Sequence, residues 1–111
     1  MGKLQSLTKL NNIVKSLQSI RGNLELQTVL IISYIAMNEG CSQQEVAKSL
    51  GLSAAAISRN MTMLGTGSRN KGGAGIIRLE VDNWNRRQHL VYLTEAGNKL
   101  ISSIVSTMEK R

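Results

Sequence analysis

The sequence predicts a mainly α fold with a small β element, an α+β class in a single domain over residues 1–111. Three observations predict it. Apolar residues recur at steps of three and four in five separate segments. Proline is absent and the aromatic residues are Tyr34, Trp84 and Tyr92 alone, which favours an aliphatic, helix-rich core. One stretch, residues 76–93, alternates in the manner of paired strands. A chain of 111 residues can bury such a core without disulfide staples.

The first stripe is Leu4, Leu7, Leu10, Ile13, Val14, Leu17 and Ile20, an amphipathic helix over 3–20 with a cationic back. Arg21-Gly22 ends it, and Asn23 is placed to cap the next helix. Leu24 to Asn38 is apolar nearly all round between Val29 and Met37, as a buried central helix should be. Cys41 lies in the connector after it and is expected to be a small buried residue, since free cysteine is among the most buried types.

Residues 42–64, SQQEVAKSLGLSAAAISRNMTML, read as two short helices joined by a tight turn. Ser42 and Glu45 have capping-box spacing. Val46, Ala47 and Leu50 form one apolar face, Gly51 is the left-handed stop, and Ser53 caps the second helix. That helix turns Ile57, Met61 and Leu64 inward. At about 100° per residue its opposite face presents Ala55, Ser58, Arg59 and Thr62. A small, polar, cationic outward face suits a helix entering a DNA major groove.

Gly65 to Gly75 holds five glycines in eleven residues and is expected to be an irregular, mobile loop. Ile76 to Val81 and His89 to Leu93 are the two strands of a hairpin, with Asp82 to Arg87 as its turn. Trp84 in that turn is expected to pack back on the strands, the alternative being contact with a sugar–phosphate edge. Thr94 caps a final helix over 94–110 with the stripe Leu100, Ile101, Ile104, Val105 and Met108. A helix-turn-helix followed by a two-stranded wing is the winged-helix arrangement.

Fourteen Lys and Arg stand against seven Asp and Glu, a net charge of +7. Residues 1–22 carry +4, residues 23–58 carry −2 and residues 59–87 carry +4. The second basic block lies after the helix pair, where a nucleic-acid surface needs it. No apolar run reaches the ~18 residues of a membrane span. Lys3, Lys9 and Lys15 interrupt anything resembling a signal peptide. With one cysteine, these features lead us to expect a cytoplasmic protein. The single histidine, His89, falls in a strand, and no acid pair or metal-ligand spacing accompanies it. Neither an enzyme nor a bound cofactor is expected.

The helix pair is similar to the helix-turn-helix of the MarR family of bacterial regulators, which often reads S-Q-x-E-L-A-x-x-L-x-L-S-x-x-x-V-S-R-x-V-x-x-L. NRRQHLVYLTEAG resembles that family's wing signature, D-x-R-x-x-x-x-x-L-T, with Arg87 at the arginine and Leu93-Thr94 at its close. The resemblance covers about residues 24–105. Asn85 stands where the family has aspartate, the 65–75 segment is longer and richer in glycine, and the chain is short for the family.

The resemblance implies a transcriptional regulator that binds double-stranded DNA as a homodimer. Ala54, Ala55, Ser58, Arg59 and Thr62 then face the major groove, and Arg87 with Arg86 reaches the minor groove. Lys48, Arg69, Lys71 and Arg78 contact the phosphate backbone. Leu7, Leu10, Leu17, Ile101, Ile104 and Met108 on the terminal helices form the two-fold interface. A small-molecule effector has no support in the sequence. The alternative is a winged helix used for protein contacts, a cofactor or inhibitor of transcription or replication machinery, which three consecutive alanines would suit.

Overall fold

In the computed structural model, which describes residues 2–68 and 71–110, five helices carry a three-stranded antiparallel sheet. The order is α1 (Lys3–Gln18), α2 (Leu26–Met37), β1 (Cys41–Ser42), α3 (Gln43–Leu50), α4 (Ala54–Leu64), β2 (Gly67–Ser68), β3 (Lys71–Gly72), β4 (Ile77–Val81), β5 (His89–Leu93) and α5 (Glu95–Glu109).

Local chemistry sets most of these boundaries. Ser42 Oγ accepts from the Glu45 amide at 3.1 Å, the serine half of the expected capping box. Gly51 adopts φ 66° and stops α3. Ser53 Oγ accepts from the Ala56 amide and Thr94 Oγ1 from the Gly97 amide, both at 3.1 Å, so α4 and α5 begin where their caps require. Asn23 does not cap α2. The helix starts at Leu26 after Glu25, without a side-chain cap. Leu24, ahead of the helix, packs against the core.

The core gathers Ile31, Ile32 and Ile35 of α2, Val46 of α3, and Ile57, Met61 and Leu64 of α4. Ile76, Ile77, Val91 and Leu93 close it from the wing side. Each such side chain contributes about 1.5–3 kcal/mol by leaving water. One face of α2 is buried, not its whole circumference: Leu26, Leu30 and Met37 remain exposed. Thr28 Oγ1 donates to Asn60 Oδ1 at 2.6 Å, and Asn60 Nδ2 donates to the Ala56 carbonyl at 2.8 Å. This satisfied buried pair pins α4 to α2.

Strand order in the sheet is β1-β5-β4. Cys41 pairs with Val91 and Ser42 with Leu90, so the expected connector is a short third strand. Across the hairpin Ile77 faces Leu93 and Val81 faces His89. Cys41 is buried as expected. Burial pushes its thiol pKa up and the Glu45 carboxylate adds to this, which disfavours the reactive thiolate.

The glycine-rich segment departs from the irregular loop expected of it. Gly67 pairs with Gly72 and Ser68 with Lys71 in a second small ribbon. The Gly73, Ala74, Gly75 and Ile76 amides then donate back to the Thr66, Met63, Gly65 and Leu64 carbonyls. A Cβ on Gly73 would overlap the Gly65 carbonyl. Glycine here permits close backbone approach, which composition alone reads as disorder.

Where α4, the wing and α5 meet, Thr94 N donates to the Ile76 carbonyl at 3.0 Å and Thr94 Oγ1 to the Gly75 carbonyl at 2.6 Å. Gly97 lies so close that a Cβ would overlap the Ile76 carbonyl oxygen. In an open helix Gly→Ala is favourable by about 1 kcal/mol. Here the sign reverses: Gly97→Ala is expected to destabilise the protein by about 1–3 kcal/mol in urea unfolding.

Candidate nucleic-acid interface

The outward face of α4 carries Ala54, Ala55, Ser58, Arg59 and Thr62, all exposed. Its apolar positions Ile57, Met61 and Leu64, together with Asn60, are buried, which holds that face in one rotation about the helix axis. Thr62 Oγ1 donates to the Ser58 carbonyl at 3.0 Å, leaving the hydroxyl oxygen free as an acceptor. Arg59 is the one long donor in the helix. Beside it the α1–α2 connection brings Arg21, and both line a recess of about 170 Å³ with Glu25. Sequence reasoning missed Arg21 as a neighbour of Arg59, although it belongs to the basic N-terminal block. The two arginines lie 38 positions apart in the chain, and only the fold joins them.

Between α4 and the wing runs a groove of about 830 Å³. Ser58, Thr62 and Thr66 line one side, Arg78, Leu79 and His89 the other, and Gln43 at the start of α3 contributes as well. Gln43 and Thr66 were not singled out from the sequence, and His89 was placed in a strand without a role, because polar residues far apart in the chain give no joint signal. Lys48 is exposed on α3. Arg78, expected to contact phosphate, is engaged within the wing: it pairs with Glu80 and its guanidinium lies 4.6 Å from the Tyr92 ring centroid. Both members of that pair are half exposed, so it binds Arg78 weakly. Arg69 lies outside the described residues, and of Lys71 only the backbone is described.

The wing tip is tied by its own polar groups. Asp82 Oδ1 accepts from the Trp84 amide at 2.9 Å, and Asp82 Oδ2 from Gln88 Nε2 at 3.0 Å. The Asp82 amide donates to the Gln88 carbonyl at 3.1 Å, closing the turn. Asn85 Oδ1 accepts from the Arg87 amide at 3.2 Å. Asn85 therefore holds the backbone of the wing arginine, and Asp82 is the carboxylate that organises the tip. Arg86 and Arg87 are exposed. Trp84 does not pack on the strands: it is 97% exposed, because the Asp82 and Asn85 bonds turn the chain outward at that point.

The Gln88 side chain and the Trp84 amide hold the Asp82 carboxyl below its ordinary pKa of 3.8. A depressed carboxylate stabilises the fold above the ordinary value and loses that effect as pH falls through the lowered one. The tip should thus stay ordered at neutral pH and loosen only in strong acid. Amide exchange at Trp84 and Gln88 checks this, and Asp82→Ala should accelerate both at pH 7.

Comparison with known proteins agrees with this geometry. Residues 25–64 match the winged helix-turn-helix DNA-binding family. No curated protein matches the chain by sequence. Among solved structures, the MarR structure is 25% identical, with a TM-score of 0.64 over 97% of this chain and 77% of that one. The Staphylococcus aureus MepR–DNA complex is 19% identical, with a TM-score of 0.67 over 96% and 75%. The Streptomyces coelicolor PcaV transcriptional regulator, in complex with its natural ligand, is 19% identical with a TM-score of 0.61. That match covers 77% of this chain, which spans 55% of the PcaV chain. In its fold, and over residues 25–64 in its sequence, the chain is similar to winged helix-turn-helix proteins, MarR among them.

Proposed function

We propose that this chain is a double-stranded DNA-binding transcriptional regulator acting as a homodimer, with α4 in a major groove and the wing tip in the adjacent minor groove. The observation that carries the reading is the outward face of α4: exposed small residues around one arginine, beside a groove walled by a basic wing. Ala54 and Ala55 allow close approach or meet a thymine methyl, Ser58 and Thr62 offer short polar contacts, and Arg59 reaches a guanine edge or phosphate. Lys48, Arg69, Lys71 and Arg78 supply backbone contacts, Arg78 after leaving Glu80, and Arg86 and Arg87 serve the minor groove. MepR of the same fold was solved on DNA, which supports the reading. The function is binding, not catalysis.

Homodimerisation rests on the terminal helices. Leu4, Leu7, Leu10 and Val14 of α1 and Val105 and Met108 of α5 are exposed apolar side chains on two helices packed together. Ile101 and Ile104 are half buried against the protomer's own core and lie at the edge of such a surface. Leu17 must be removed from the interface: at 7% exposure it belongs to the core of its own chain. Among the described residues no helix is long and apolar enough to cross a membrane, and a cytoplasmic location is part of the proposal.

Two tests separate these elements. Arg59→Ala and Arg87→Ala should each weaken duplex binding by about 1–3 kcal/mol, with Arg87→Ala also relaxing any preference for A·T flanks. Wild-type affinity should fall steeply with salt. Salt-insensitive binding, or none, would favour a protein partner. For the dimer, Leu7→Glu with Leu10→Glu should shift the sedimenting species to monomer with the fold intact. Leu17→Ala should instead lower stability by about 2–5 kcal/mol without dissociating the dimer.

A further inference from the structure

Trp84 occupies an uncommon place for its residue type. Its ring presents on the order of 200 Å² of largely apolar surface, and at 97% exposure almost all of that meets solvent. The backbone beneath it is held: the Trp84 amide bonds Asp82, the Arg87 amide bonds Asn85, and the Asp82 amide bonds Gln88. The indole therefore projects from a tied turn. Its neighbours from Asp82 to Gln88 are all polar or charged, with Arg86 and Arg87 the nearest cations along the chain.

Those neighbours favour one kind of partner. A membrane surface is entered by several apolar anchors together, and the tip has one. A protein hot spot seats its aromatic among packed neighbours that exclude water, and here the indole stands alone at the tip. A polyanion with flat apolar edges matches one indole among asparagine and arginine side chains. The tip is also correctly placed. The wing strands leave the core at Ile77 and Leu93 and run along the α4 groove to Val81 and His89. That run spans on the order of 13 Å, about the width of the major groove that α4 would occupy.

We infer that Trp84 is a DNA-contacting side chain whose indole packs against the sugar and base edges of the minor groove beside Arg87. This deepens the DNA-binding reading and rests on it. Arg87 supplies charge, which salt screens. Trp84 supplies apolar contact, which salt leaves in place, so the wing retains part of its grip where purely ionic contacts are lost.

The chain contains one tryptophan, so its intrinsic fluorescence reports this side chain alone. The full-length protein is titrated with an unlabelled duplex while emission and acrylamide quenching are followed. Labelled-duplex anisotropy measures affinity independently. The free protein should be strongly quenched by acrylamide, and saturating duplex should shift the emission and protect the ring. Trp84→Ala should weaken binding roughly five- to fifty-fold, with the salt slope unchanged, and Trp84→Phe should restore most of the loss. Duplex binding by anisotropy, with unchanged emission and an unaffected Trp84→Ala variant, would overturn the inference and leave the DNA reading standing. No duplex binding by the wild type would overturn both. A shift with vesicles of anionic lipid and none with duplex would overturn it in favour of a membrane surface.

Discussion

The placement of the wing against α4 depends on the junction of Ile76, Thr94 and Gly97. The Ile76 amide bonds the Leu64 carbonyl at the end of α4, while its carbonyl accepts from Thr94 at the start of α5. Thr94 Oγ1 both caps α5 and bonds Gly75. One backbone residue thus links the end of the outward-facing helix, the first wing strand and the last helix. Gly97 lets α5 approach close enough for this to happen. A second clasp acts at the same end of the sheet, where Glu39 Oε1 accepts from the Leu93 amide at 2.8 Å. The angle between α4 and the wing is therefore set by short hydrogen bonds to buried or half-buried backbone, which are costly to break.

That rigidity shapes the division of work in the proposed interface. The α4 face is small and nearly flat in chemistry, with one arginine, so it offers close fit and few base-specific donors. The wing tip holds two arginines and an outward indole on a turn closed by Asp82. Side chains presented by a pre-ordered turn lose less freedom on association than those on a loose one. Arg21, brought beside Arg59 from the α1–α2 connection, adds a cation to the same side of α4. The two basic blocks, apparently separate along the chain, thus share a border in space.

The terminal helices have a different physical character. Leu17, with the half-buried Ile13, Ile20, Ile101 and Ile104, ties their inner sides to the body. Lys9 Nζ reaches the last carbonyls of α5, bonding Met108 at 3.2 Å and Lys110, where a cation also suits the helix dipole. The exposed Leu4, Leu7, Leu10, Val14 and Val105 lie on the same helix pair. An apolar surface on a braced support suits a partner that presents the same surface in return, which is the geometry of a two-fold contact.

By itself the sequence determined the elements whose causes are local. Caps at Ser42, Ser53 and Thr94, the stop at Gly51, the inward Ile57-Met61-Leu64 stripe and the alternation in 76–93 each act within a few residues, and so they are legible from spacing. The outward set of Ala54, Ala55, Ser58, Arg59 and Thr62 follows from the same helical period. Other features depended on contacts across the chain. Cys41-Ser42 is a strand only because Val91 and Leu90 are there to pair with it. Leu17 packs into the core of its own chain, and the glycines between 65 and 75 allow close backbone contact. Trp84 was expected to fold back, since an indole gains by burial. Asp82, by accepting from the Trp84 amide, and Asn85, by accepting from the Arg87 amide, turned it outward. Periodicity reports which side of an element is apolar, but only tertiary packing decides how much of that side finds a partner.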